Sequence, residues 1–169
     1  MKKLFTIILL FGGFHAATAQ DDSQPARKFA FLVGSWHGTA SVNLGPNSWK
    51  TIQQSEDVSL RLNDNVMYVS GTGTEDQKVV FEAIGLMSFN KTTKKYNFRA
   101  YRENGMTTDA YVEFKGEKWF EWGFQLANGA KMRYNTQVRA DGQWHELGEY
   151  SPDGVKWYKN FEMTLTKAN

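Results

Sequence analysis

The chain has no cysteine. That removes disulfide staples, thiol nucleophiles and zinc–thiolate centres together. It also lacks a charge of one sign. The full sequence carries 20 Lys+Arg and 18 Asp+Glu, but Lys2 and Lys3 belong to a basic start that contains no acid, so the rest of the chain has 18 of each. A neutral domain without a basic stripe lacks the electrostatic footprint of a nucleic-acid binder, however many aromatics it has.

Long hydrophobic runs are missing too. The only sustained one, Leu4 to Phe14, is too short to anchor in a bilayer. Behind Lys2-Lys3 and ahead of the small-x-small triplet Ala17-Thr18-Ala19, it reads as an export signal over residues 1–19, with Gln20 opening the mature protein. With no cysteine after it, a lipid-anchored form is not expected. The mature chain is expected to have no membrane span. Gln20 to Arg27 reads as a flexible leader and residues 28–169 as one domain, long enough for a substantial core.

No window after the signal shows a helical stripe, and there are no internal repeats. Period-two alternation is present instead. Ile52, Gln54, Glu56, Val58 and Leu60 share one face, and Trp157, Phe161, Met163 and Leu165 share another. Turn residues such as Gly45-Pro46, Asn63-Asp64, Asn128-Gly129, Asp141-Gly142 and Pro152-Asp153-Gly154 punctuate the chain. They predict strands at 36–44, 49–62, 65–74, 79–90, 94–102, 107–115, 118–126, 130–140, 143–150 and 155–166, after a helical turn around 26–33. Ten strands in hairpin series predict an all-β, antiparallel up-and-down barrel, since closure removes unpaired edges. A barrel of that size is wider than its side chains fill, so an interior cavity is expected.

At Phe31-Leu32-Val33-Gly34-Ser35-Trp36-His37-Gly38 the sequence resembles the calycin group, which includes lipocalins, fatty-acid-binding proteins and nitrobindin-type barrels. The shared feature is Gly-x-Trp opening the first strand. The closing Phe161-Glu162-Met163-Thr164-Leu165-Thr166-Lys167 also looks like the last strand of exported bacterial members. The resemblance implies that Gly34 permits a turn and Trp36 plugs one end. Lipocalins often place an Arg over that tryptophan; Lys167 is the nearest candidate here. The two-helix lid of fatty-acid-binding proteins has no counterpart between the first two strands. The haem-ligating histidine near the end of nitrobindin-type chains has none after His145.

The candidate cavity residues are Glu56, Arg99, Tyr101, Trp122, Arg133, Tyr134, His145 and Trp157. Glu56 stands on an otherwise apolar face, where a carboxylate needs a partner, and Arg99 or Arg133 are the candidates for its counter-charge. Core packing and surface ion pairing compete with the cavity reading for all of these residues. His145 and Glu146 are strand neighbours and cannot meet, and His145 lies about 13 Å from Glu149, so no local acid–base dyad forms. No nucleophile elbow, phosphate loop, metal-ligand spacing or cofactor motif is present. The expected function is therefore an exported carrier or sensor for a small apolar or planar ligand. An isomerase or hydrolase in the same cavity is the alternative, with a protein- or glycan-binding outer aromatic patch as a third reading.

Overall fold

The structure is a computed structural model that describes residues 24–46 and 48–168. The expected signal segment, residues 1–19, lies outside the described residues. Ten strands run in chain order: β1 Gly34–Gly45, β2 Ser48–Arg61, β3 Val66–Glu75, β4 Lys78–Asn90, β5 Lys95–Arg102, β6 Thr107–Gly116, β7 Trp119–Gln125, β8 Lys131–Val138, β9 Trp144–Ser151 and β10 Tyr158–Lys167. Each pairs antiparallel with its neighbour, and β1 also pairs with β10, closing the barrel. This is a calycin-like fold, as the sequence indicates.

A 3-10 helix, Pro25–Leu32, precedes β1. Proline at its first position fits the helix start because its missing N–H has no partner to lose there. Ala26, Phe29 and Leu32 are buried, so the end of the expected leader is packed structure. Phe29 lies edge-on to Tyr96 and Phe120, and the Tyr96 hydroxyl donates to the Pro25 carbonyl (3.0 Å). The helix thus seals one end of the barrel. The fully buried large side chains Phe29, Leu32, Trp36, Met67, Phe120 and Leu165 pack around this seal. At about 25 cal/mol per Å² of apolar area, they form the main stabilising layer.

The Gly-x-Trp corner is built as the resemblance implies. Gly34 has φ +128°, and a Cβ there would lie 2.6 Å from Lys167 Cε. Trp36 donates from Nε1 to the Leu32 carbonyl (2.7 Å) and meets Trp144 edge-on. Lys167, opposite Trp36 in the β1–β10 register, holds its Nζ 5.4 Å from the Trp36 ring centroid. The ammonium therefore takes the place over the indole by a cation–π contact.

Candidate functional site

Alternation fixes which side chains enter the barrel. On β2 the inward row is Ile52, Gln54, Glu56 and Val58; on β9 it is Trp144, Glu146 and Gly148; on β8 it is Met132, Tyr134 and Thr136. Several inward residues keep partial exposure, among them Val69, Ala83, Ala100, Ala110, Trp122 and Tyr134. Small residues on β3 to β6 face larger rings on β7 and β8. Some of that room is already taken. Cβ atoms built at Gly71, Gly73 and Gly85 would meet Glu56 Oε1 at 2.7 Å, Ile52 at 2.5 Å and Phe98 at 2.6 Å. The interior is thus a narrow lumen, closely packed around Glu56, Ile52 and Phe98.

Two carboxyl groups stand in it. Glu146 is 9% exposed, and its Oε2 accepts from Thr136 Oγ1 and from Trp122 Nε1 (3.3 Å). Glu56 accepts from Gln54 Nε2 (2.8 Å) and lies against Gly71. Among the described residues neither takes part in an ion pair with a cationic side chain. Burial pushes the Glu56 carboxyl up to about 8, and the nearby Glu146 and Asp57 charges push the same way against the Gln54 hydrogen bond. Burial likewise raises Glu146 well above the usual carboxylate range. Glu56 is therefore held mainly as a neutral acid at neutral pH, and Glu146 is pushed in the same direction.

An aromatic wall adjoins them. Trp122 and Tyr134 stack with centroids 4.0 Å apart and planes 8° apart. Tyr134 is pushed up by burial and by Glu146, while Arg102 acts the other way. Arg102 is the inward residue at the end of β5, its guanidinium 5.1 Å from the Phe81 ring centroid. It stands in one cross-strand row with Glu56, Gly71 and Ala83.

Of the expected cavity residues, Glu56, Trp122 and Tyr134 point inward. Five do not. Arg99 lies outside, bonded twice to Asp109 at 2.6 Å, and Tyr101 shares its outer face. Arg133 is also outside, paired with Glu149 (2.7 Å), its guanidinium 4.0 Å from the Trp157 ring centroid. Neither arginine supplies Glu56 with a counter-charge. His145 faces outward, although it is buried, with Nε2 3.1 Å from Glu162. Trp157 precedes β10 rather than lying in it, and a bulge between Lys159 and Phe161 breaks its phase with Phe161. Period two puts each residue of Arg133/Tyr134 and His145/Glu146 on an opposite face, which is why both members could not enter.

Glu146, Thr136 and Arg102 are the interior polar groups that sequence reasoning missed. The signal for Glu146 was the apolar partner two residues before it: Trp144 inside implies Glu146 inside. Several outer aromatics are held by polar or cationic partners. Trp119 donates to Asn135, Tyr111 to Glu121, and Lys159 lies over Trp49. Two clefts lie away from the lumen's centre. One of about 470 Å³ runs between Arg27, Phe31 and the β6–β7 turn; one of about 320 Å³ is lined by Tyr111, Phe124, Lys131 and Trp157 at the outer rim.

A closed ten-stranded barrel with a sealed base and a polar-aromatic lumen defines the class as calycin-like. Among solved structures, it is similar to Rv2717c from M. tuberculosis, with a TM-score of 0.62 and 11% identity over 86% of this chain and 98% of that one. It is also similar to the S-type phycobiliprotein lyase CPES from Guillardia theta, with a TM-score of 0.61 and 10% identity over 88% and 94%. At such identities the likeness is one of fold. No family model and no curated protein matches the sequence.

Proposed function

We propose that this protein is an exported carrier or sensor that holds a small planar ligand in the barrel lumen. The observation that carries the reading is the stacked Trp122–Tyr134 pair beside two interior carboxyl groups on the inward face of the barrel. Stacked rings offer flat apolar area, and a few fixed polar groups orient what lies on them. The fold likeness to a phycobiliprotein lyase supports a small-ligand role for the barrel. Residues 1–19 are the export signal in this reading, and the mature protein works outside the cytoplasm.

Native mass spectrometry of protein recovered from its own host, together with tryptophan quenching by a panel of two-ring compounds, tests the proposal. A co-purifying small molecule, or saturable quenching reduced in Trp122→Phe, is expected. Neither signal, with the barrel folded, would overturn it.

The same carboxyl pair favours one other reading. A neutral acid in a lumen is a general acid, and a second carboxyl beside it is a base once ionised. An isomerase or hydrolase built this way would lose turnover in Glu56→Gln, whereas a carrier has none to lose.

A further inference from the structure

Among the described residues, the lumen holds two acids and no basic side chain bonded to either. Glu146 accepts from Thr136 and Trp122, both on Oε2, while among the described residues Glu56 accepts from Gln54 alone. An ionised carboxylate has about four acceptor sites, so Glu56 has capacity unused. Beside the two acids lie Trp122 and Tyr134, stacked on each other and flanked edge-on by Phe98 and Phe161. Carboxylates and stacked π-faces attract the same kind of guest, a positive charge carried on an apolar body. Among the described residues no group of three or more His, Cys, Asp or Glu converges, which disfavours a metal ion as that charge.

We propose that the lumen selects an organic cation, a protonated amine on a planar or apolar frame, and exchanges a proton for it. This deepens the small-ligand reading and rests on it. In the free protein, Glu56 carries its proton. When the ammonium arrives, Glu56 releases that proton to water and the carboxylate pairs with the ammonium, which keeps its own. The buried charge is then compensated rather than isolated.

The charged groups around Glu56 and Glu146 leave this balance intact. Asp57 lies on the opposite face of β2, bonded by Ser35. Tyr134 on β8 is neutral over the relevant range, its phenol pushed up by burial. Arg102 on β5 stands at the lumen end, paired with Glu103 (3.7 Å) and over Phe81. Lys167 on β10 lies over Trp36, Lys50 on β2 pairs with Glu75, and Arg27 on the helix pairs with Asp64. The inward residues of β1, β3, β4, β6 and β7 nearest the two acids (Trp36, Gly71, Ala83, Ala110 and Trp122) carry no charge.

Isothermal titration with three compounds of one shape tests this: 1-naphthylmethylamine, 1-naphthalenemethanol and 1-naphthaleneacetate. The amine is expected to bind at least tenfold more tightly than the alcohol, and the acetate more weakly still. With Glu56 near 8, amine affinity is expected to rise about tenfold from pH 6 to pH 7 and to level off above pH 8. Titrations in two buffers of different ionisation enthalpy are expected to show about one proton released at pH 7. Glu56→Gln is nearly isosteric and is expected to abolish the pH slope and the amine preference; Glu146→Gln is expected to weaken both. The alcohol or acetate binding as tightly as the amine would overturn the cation assignment while leaving a small-ligand lumen in place. No binding by any of the three would remove both.

Discussion

The Glu56 carboxyl sets an unusual direction for stability against pH. In the unfolded chain it titrates near 4.5 and in the folded protein near 8. The folded state therefore binds more protons over that window. Stability is highest below about pH 4.5 for this group, falls as pH rises, and reaches its floor above about 8. At about 1.4 kcal/mol per pH unit, the loss is roughly 2–3 kcal/mol between pH 5 and 7 and about 4 kcal/mol between pH 5 and 9. Glu146 adds in the same direction, since burial raises it too. The surface carboxyls Asp109, Asp153 and Glu162 have lowered values, so their contribution is lost below this window rather than within it. Urea titrations at pH 5, 7 and 9, followed by tryptophan fluorescence, read the effect. With a slope of about 2 kcal/mol per molar urea, the midpoint of the natural protein should drop by about 1 M from pH 5 to 7. Glu56→Gln should be more stable at pH 9 and should show a shallower dependence, and the double variant with Glu146→Gln should be nearly flat. A midpoint that holds steady or rises between pH 5 and 8 would refute the reasoning, because it would mean the buried acids ionise without cost.

Other perturbations separate the interior from the exterior. Gly34→Ala forces a positive φ on alanine and drives its Cβ toward Lys167 Cε, so a loss of about 1–3 kcal/mol should appear in the melting temperature. Arg133→Ala removes an ion pair and a stacking partner from the outer face. It should cost about 1–2 kcal/mol of stability and leave naphthylmethylamine affinity unchanged in the same titration. Trp122→Phe removes the N–H that Glu146 accepts and thins the stack on Tyr134. Affinity for the amine should fall about fivefold, with a stability loss of about 1–2 kcal/mol.

The fold was legible because turn chemistry is local. Turn residues at the hairpins bounded all ten strands to within about three residues, and Gly34, Trp36 and Lys167 meet at one corner of the barrel. Glu56 was legible as well, since its neighbours at two-residue spacing on both sides are core residues or Gln54. The rest of the site needed the three-dimensional register. Alternation divides a strand into two faces but does not say which face is inside when both carry large side chains. The need of Glu56 for a counter-charge draws Arg99 inward on paper, although Tyr96, Phe98 and Ala100 form the other, apolar row. Trp157 matched the parity of Phe161, and only the bulge between Lys159 and Phe161 moves it outside. Glu146 was hidden by its neighbour His145, whose chemistry draws attention while its side chain faces the outer Glu162.

A crystal structure of the protein with 1-naphthylmethylamine bound tests the central claim most directly. The account predicts the ring system against Trp122 and Tyr134, with the ammonium nitrogen within hydrogen-bond reach of the Glu56 carboxylate. The amine seated instead on the outer face beside Trp157 and Tyr111, with the lumen side chains unmoved, would contradict it.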